Sequence, residues 1–175
     1  MILQTKNLTL DSRPLKYIDA LYELIKEDNK WLSTWTVIAY PAKKKEVRTY
    51  YNEEIKYKNE LFVILTKEKE VMGMISLHKN TLHNNATIGY WLGLYYRNKG
   101  YMTEATLKVI EYGFSTLQLM RIEISTAEQN APSLSVINKC NFHFEGVRRM
   151  GVRNGFNQYY NLKVYSILRE EFNKK

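Results

Sequence analysis

The chain holds a single cysteine, Cys140, so no disulfide can close within it and the stapled scaffold of a small secreted domain is excluded. Prolines number only three, Pro14, Pro41 and Pro132, and no Pro-, Gly- or Ser-rich linker, low-complexity tract or internal repeat interrupts the sequence. One domain over residues 1–175 is therefore expected, long enough to bury a sizeable core. The opening Met1-Ile2-Leu3-Gln4-Thr5-Lys6 lacks the apolar centre of a signal peptide. No apolar run approaches the roughly 20 residues needed to span a bilayer. These absences point to a reducing cytoplasm and away from the membrane. Walker and GxGxxG loops are missing too, which argues against a nucleotide triphosphatase or a dinucleotide enzyme.

What is present is an ordinary globular mixture, 45% hydrophobic and 25% charged, with a formal net charge of +8. Such a surface attracts polyanions, whether nucleic acid, anionic lipid or a phosphorylated cofactor. It equally suits plain solubility. The charges are spread along the chain, and no aromatic-and-basic RNP sequence is found, which speaks against nucleic acid.

Periodicity places the elements. Ile2 to Leu10 reads as a first strand. Pro14 opens a helix with Leu15, Ile18, Leu21, Tyr22 and Ile25 on one face. The aromatic segment Trp31-Leu32-Ser33-Thr34-Trp35 follows, and Pro41 should stop what precedes it. The basic patch Lys43-Lys44-Lys45-Glu46 leads into a second helix over 46–58, expected to bury Val47, Tyr50, Tyr51 and Ile55. Leu61–Leu65 and Val71–Leu77 form a hairpin around Lys67-Glu68-Lys69-Glu70, and 86–94 is a third strand. A helix over 102–117 and a strand over 121–126 come next. Asn130-Ala131-Pro132-Ser133 begins a short helix that should end at Asn141 in a left-handed conformation. Two last strands are joined through Asn154-Gly155, the signal of a tight hairpin turn. The predicted class is α+β, tending to α/β at the centre. Its mixed, mostly antiparallel sheet carries hairpins at both ends, a central β-α-β crossover and flanking helices.

The stretch from Gly89 to Ala105 runs strand, tight loop, helix. Such a loop gathers backbone N–H groups at the positive end of a helix, and Gly100 lets an anion approach closely. Arg97 and Lys99 add positive charge to it. By itself this junction is a weak signal, since most are only turns.

Arg97-Asn98-Lys99-Gly100-Tyr101-Met102 resembles the Arg/Gln-x-x-Gly-x-Gly/Ala pyrophosphate loop of the GCN5-related N-acetyltransferases, with Met in the last position. That departure is familiar in the Rim-type branch, the ribosomal-protein N-terminal acetyltransferases. Ile88-Gly89-Tyr90-Trp91-Leu92, Trp31-Leu32-Ser33-Thr34-Trp35, Asn130-Ala131-Pro132-Ser133, Phe142-His143-Phe144-Glu145-Gly146 and Tyr165-Ser166-Ile167-Leu168-Arg169 are similar to pieces of that branch, in order and over nearly the whole chain.

The resemblance implies an acetyl-coenzyme A-dependent enzyme without a metal. The pantetheine arm would pair with the backbone of Ile88, Tyr90, Trp91 and Leu92. The pyrophosphate loop spans Arg97 and Asn98, with the anion on the amides of Lys99, Gly100, Tyr101, Met102 and Thr103. Asn130 and Ser133 would reach the cofactor from the other side, and Trp31 and Trp35 would border the acceptor, unless they are simply core aromatics. The family often places a Tyr acid on the last helix, but the position here is Ile137. The Rim-type branch puts Ser at Ser133, whose hydroxyl could donate to the departing sulfur or only cap the helix. Where relatives often carry an Asp near the C-terminus, this chain has Asn161, which cannot be a base. His78, at the end of a central strand, is either a structural histidine or the missing base. A protein N-terminal amine is the acceptor the branch implies. A polyamine or aminoglycoside on the same fold is the alternative, and a weakly active acyl-CoA or RNA-binding module a third. Relatives are often homodimers, and nothing in this sequence decides that state.

Overall fold

The computed structural model describes residues 1–36 and 43–173, so the stop expected at Pro41 lies outside the described residues. The N-terminal stretch is a hairpin rather than one strand, β1 (Ile2–Gln4) and β2 (Thr9–Asp11). The reason is local. The Thr5 amide donates to Leu8 O at 3.1 Å and the Leu8 amide to Thr5 Oγ1 at 2.8 Å, closing a turn that weak alternation hid.

A 3-10 turn over Pro14–Tyr17 leads into α1 (Ile18–Glu27), which buries Ile18, Leu21 and Ile25. The aromatic segment forms α2 (Asn29–Trp35). Helix α3 (Lys44–Lys56) begins two residues before the expected 46–58. Lys43 starts it, with its amide on Glu46 Oε2 at 2.8 Å, and Lys58 at φ 57° lies beyond its end. Val47 and Tyr51, one turn apart, face inward. Tyr50 stands to the side of that stripe, and Ile55 continues it only at the last turn of the helix; they remain 37% and 44% exposed, contrary to expectation.

Strands β3 (Glu60–Leu65), β4 (Val71–Asn80) and β5 (Asn85–Leu92) form an antiparallel meander. Then come α4 (Tyr101–Ser115), β6 (Arg121–Ala127), α5 (Ala131–Lys139), β7 (His143–Arg153), β8 (Tyr159–Leu168) and a short α6 (Arg169–Asn173) that the sequence pattern did not announce. Asn141 takes φ 60°, the left-handed exit expected of it. The Asn154-Gly155 turn differs from expectation. Neither residue has positive φ, and a five-residue loop separates Arg153 from its partner Tyr159. Buried Asn154 accepts the amides of Phe156 and Gln158 on Oδ1, both at 2.9 Å, and Asn157 supplies the positive φ.

One sheet runs β1-β2-β3-β4-β5-β6-β8-β7. Its parallel pair, β5 with β6, is joined through α4, the expected central crossover. One face packs Leu77, Ile88 and Ile122 against Val109 and Ile110 of α4 and Ile137 of α5. The other packs Val63 and Met74 against Leu21, Ile25, Val47 and Tyr51 from α1 and α3. The β5–β6 register ends at Ile88↔Ile124, while β6 continues along β8 to Ala127↔Leu162. The two central strands therefore part from Gly89 onward.

Candidate active site

That parting opens a cleft of about 390 Å³. Its β5 wall contains Ile88, Tyr90, Trp91 and Leu92, continued by Arg97, Asn98 and Met102. Asn130 and Ser133 at the start of α5 close the opposite side, and Trp31, Trp35 and His78 line the face toward α2 and α3. The strands, the loop and the two helices thus bring most of the expected residues to one place. Lys99, Gly100, Tyr101 and Thr103 sit beside the cleft at the first turn of α4 rather than in its wall.

The start of α4 fits an anion. Gly100 caps the helix in the left-handed region, φ 84° and ψ −9°, and no atom lies within 4 Å of where its Cβ would be. No side chain caps the helix, which leaves its first amides without a side-chain acceptor at the positive end of the dipole. Along β5, residues beyond Ile88 lack a partner strand on the β6 side. A phosphate at the helix and an extended amide chain along β5 both match what this backbone leaves unpaired.

Arg97 corrects an expectation. Its side chain does not add charge beside the loop. The guanidinium turns inward, donating to Leu92 O from Nε at 3.0 Å and Nη2 at 2.9 Å, pairing with Asp28, and stacking 3.4 Å above the Trp31 ring. Burial lowers its pKa to about 10, still well above neutrality. Its charge is matched by Asp28, whereas Lys99 is exposed and forms no ion pair among the described residues. Arg97 therefore ties the loop to the α1–α2 junction.

Ser133 also becomes clearer. The cap of α5 is Asn130, whose Oδ1 accepts the Ser133 backbone amide at 3.2 Å. The Ser133 hydroxyl is not the cap. It lies 2.9 Å from the Tyr90 hydroxyl, which burial pushes well above its ordinary pKa against the pull of the Ser133 hydrogen bond. The Tyr90 side chain thus adds to the backbone role expected of that residue, because a strand position does not reveal which helix its side chain will meet.

His78 is embedded in a chain of partners. Its Nδ1 is 3.0 Å from Glu54 Oε2 on α3 and its Nε2 is 2.9 Å from Ser76 Oγ, which reaches Gly89 O at 3.1 Å. Asn59 Nδ2 donates to the same Glu54 oxygen at 2.8 Å. Ser76 was legible in principle, two residues from His78 on the same strand face. Glu54 was not, since only packing brings α3 over β4.

The sequence model for the acetyltransferase (GNAT) domain matches residues 8–143. The chain belongs to the GNAT acetyltransferase family. It is an N-acetyltransferase, and as in this family its acetyl donor is acetyl-CoA. Among curated relatives, an uncharacterized N-acetyltransferase YnaD of Bacillus subtilis (strain 168) is 30% identical over 176 residues, spanning 99% of this chain and 100% of its own. The ribosomal-protein-serine acetyltransferase of Escherichia coli (strain K12) is 25% identical over 148 residues, covering 81% of this chain and 82% of its own length. A RimL ribosomal-protein alpha-N-acetyltransferase solved with coenzyme A superposes with a TM-score of 0.89 over 98% of this chain and 99% of that one. At 20% identity that likeness shows the fold.

Proposed function

We propose that this GNAT enzyme acetylates the α-amine of a protein N-terminus, of the ribosomal-protein type. Bound acetyl-CoA would supply a thioester for direct attack by the amine. The amides of Lys99 to Thr103 would hold its pyrophosphate. The backbone of Ile88, Tyr90, Trp91 and Leu92 would pair with the pantetheine arm, and Asn130 would meet it from α5. The Ser133 hydroxyl, backed by Tyr90, would donate a hydrogen bond to the leaving sulfur. Trp31 and Trp35 would border the acceptor.

The observation that carries the acceptor class is the polarity of the α2–α3 side of the cleft. No Asp or Glu is among the described residues that line it. One that does, Trp35, carries a buried indole N–H with no hydrogen-bond partner among the described residues. Unpaired buried donors cost about 1–3 kcal/mol each and favour a ligand that brings acceptors. A peptide offers carbonyl oxygens, whereas a protonated polyamine offers only donors.

Calorimetry with acetyl-CoA on wild type, Gly100→Glu and Gly100→Ala, followed by acetyl transfer to a seryl N-terminal peptide and to spermidine, tests the reading. Gly100→Glu should weaken acetyl-CoA binding by roughly two orders of magnitude through crowding and repulsion, and Gly100→Ala far less. The peptide should be acetylated in preference to spermidine. Transfer to spermidine with the peptide untouched would reverse the acceptor assignment.

A further inference from the structure

We propose that His78 is the proton acceptor for the attacking amine, that Ser76 relays the proton to it, and that Glu54 is the positioning residue that holds the ring. This rests on the acetyl-transfer reading and deepens it, since the sequence left His78 open between a structural histidine and the base.

The geometry places the relay at the apex of the cleft. Gly89 is the first residue of β5 past its last pair with β6, and a Cβ there would lie 3.2 Å from Ser76 Oγ and 3.4 Å from His78 Nε2. The missing side chain at Gly89 is what lets both atoms close over the strand where it leaves β6. Ser76 is buried, and the His78 side chain is 35% exposed, open enough to exchange protons with water.

The hydrogen bonds define the tautomer. Two groups meet Nδ1, Glu54 Oε2 at 3.0 Å and Asn59 Nδ2 at 3.3 Å; the carboxylate can only accept and is the nearer, and the Asn59 amide already donates to it at 2.8 Å, so the proton is assigned to Nδ1 and the lone pair to Nε2. Nε2 is then able to accept from the Ser76 hydroxyl at 2.9 Å, whose single hydrogen turns either to Nε2 or to Gly89 O at 3.1 Å. In the step, the acceptor's ammonium gives a proton to Ser76 Oγ while Ser76 passes its own to Nε2, producing a neutral amine and an imidazolium. The imidazolium now donates from both nitrogens, to Glu54 and to Ser76. The hydroxyl is then free to point at Gly89 O, 3.1 Å away. The ring returns the proton to water. The amine is left with the lone pair that bond formation to the acetyl carbon needs.

The surrounding charges do not compete for the ring. From α3, Glu54 faces it, with Tyr50 beside Glu54. Next on β4, Lys79 is paired with Glu60 of β3 at 2.6 Å. In the cleft, Arg97 is bound to Asp28.

The test uses wild type, His78→Gln and Glu54→Gln, each first shown to bind acetyl-CoA equally by calorimetry. The chain has three histidines, so the His78 ring nitrogens can be assigned by NMR in the free enzyme from the signal lost in His78→Gln. The Nδ1–H tautomer should dominate in wild type and be lost in Glu54→Gln. On the seryl peptide, kcat should fall by about 10²-fold in His78→Gln with KM within about threefold, and by roughly tenfold in Glu54→Gln. The acid limb of the kcat/KM–pH profile should disappear in His78→Gln, and added imidazole should restore part of that variant's rate. A His78→Gln enzyme that turns over within threefold of wild type with the limb intact, or a wild-type ring carrying its proton on Nε2, would overturn the relay while leaving the acetyltransferase reading standing. Running the same profiles on spermidine separates an error in the base from an error in the acceptor.

Discussion

At the scale of single residues, the parts of two side chains with strong sequence signals are set by the contacts they make. Arg97 heads the loop motif, yet its guanidinium is engaged by Asp28, Leu92 O and the Trp31 face, so its contribution is to hold the loop in place. Ser133 was open between a leaving-group donor and a helix cap; Asn130 provides the cap and leaves the hydroxyl to meet Tyr90. That separation makes a clean prediction. Ser133→Ala should keep the Asn130 cap, and therefore a melting temperature within about 2 °C of wild type, while lowering kcat by roughly 10²-fold. Tyr90→Phe should give a smaller loss in the same direction. Paired thermal melts and steady-state kinetics read both quantities, and a fall in stability matching the fall in rate would assign Ser133 a structural part instead.

At the scale of elements, the β4–β5 pair brings His78 and Ser76 together with the β5 wall of the cleft, and its register depends on one residue. Gly73 pairs with Leu92, and a Cβ on it would lie 2.2 Å from Trp91 O and 2.9 Å from Leu92 Cα. Both are backbone atoms and cannot rotate away. Gly146 on β7 has a similar φ, 153° against 157°, but no atom within 4 Å of its Cβ position. The contrast isolates sterics from backbone strain. Gly73→Ala should therefore cost about 2–4 kcal/mol and Gly146→Ala about 1 kcal/mol, read from urea midpoints at constant m-value. Equal costs would show that φ alone sets the penalty.

At the scale of the whole molecule, the net charge of +8 is the balance of 26 Lys and Arg against 18 Asp and Glu, so acid shifts the entire surface toward self-repulsion. Two carboxylates far apart along the sheet make the native state sensitive to that shift. Buried Asp11 on β2 accepts from Arg13 Nη2 at 2.7 Å and the Tyr17 hydroxyl at 2.8 Å, and the Arg13 hydrogen bond leads in lowering its pKa to about 2. Glu145 on β7 is held at about 2 first by Arg121 and then by Ser166. Both folded values lie below the ordinary carboxylate values of 3.8 and 4.5. Their contribution is therefore complete above about pH 4.5 and is lost as pH falls through about 2. For Asp11 the shift corresponds to about 2 kcal/mol. Melting temperature should be flat above pH 5 and fall steeply between pH 4 and 2. The slope should be shallower in Asp11→Asn, whose stability is already reduced at neutral pH.

Which segments become helix and strand through most of the chain, the α4 crossover, the left-handed exit at Asn141 and the left-handed glycine at the α4 N-terminus are legible in the sequence. These are local properties, written in periodicity, capping residues and backbone conformational limits. It also carried the loop and aromatic motifs through which the family is recognisable. Contacts between elements distant in the chain were decided by tertiary structure alone. Packing of α3 over β4 brings Glu54 to His78, the parting of β5 from β6 turns Gly89 into the apex of a cleft, and Asp28 captures the motif arginine across 69 positions. Even the Asn154-Gly155 turn yielded to its surroundings, because Gly155 donates its amide to Ser33 O on α2 at 2.8 Å. Residue type and spacing supply the groups a reaction needs, but which groups meet depends on how faces far apart in sequence pack, and no local pattern records that.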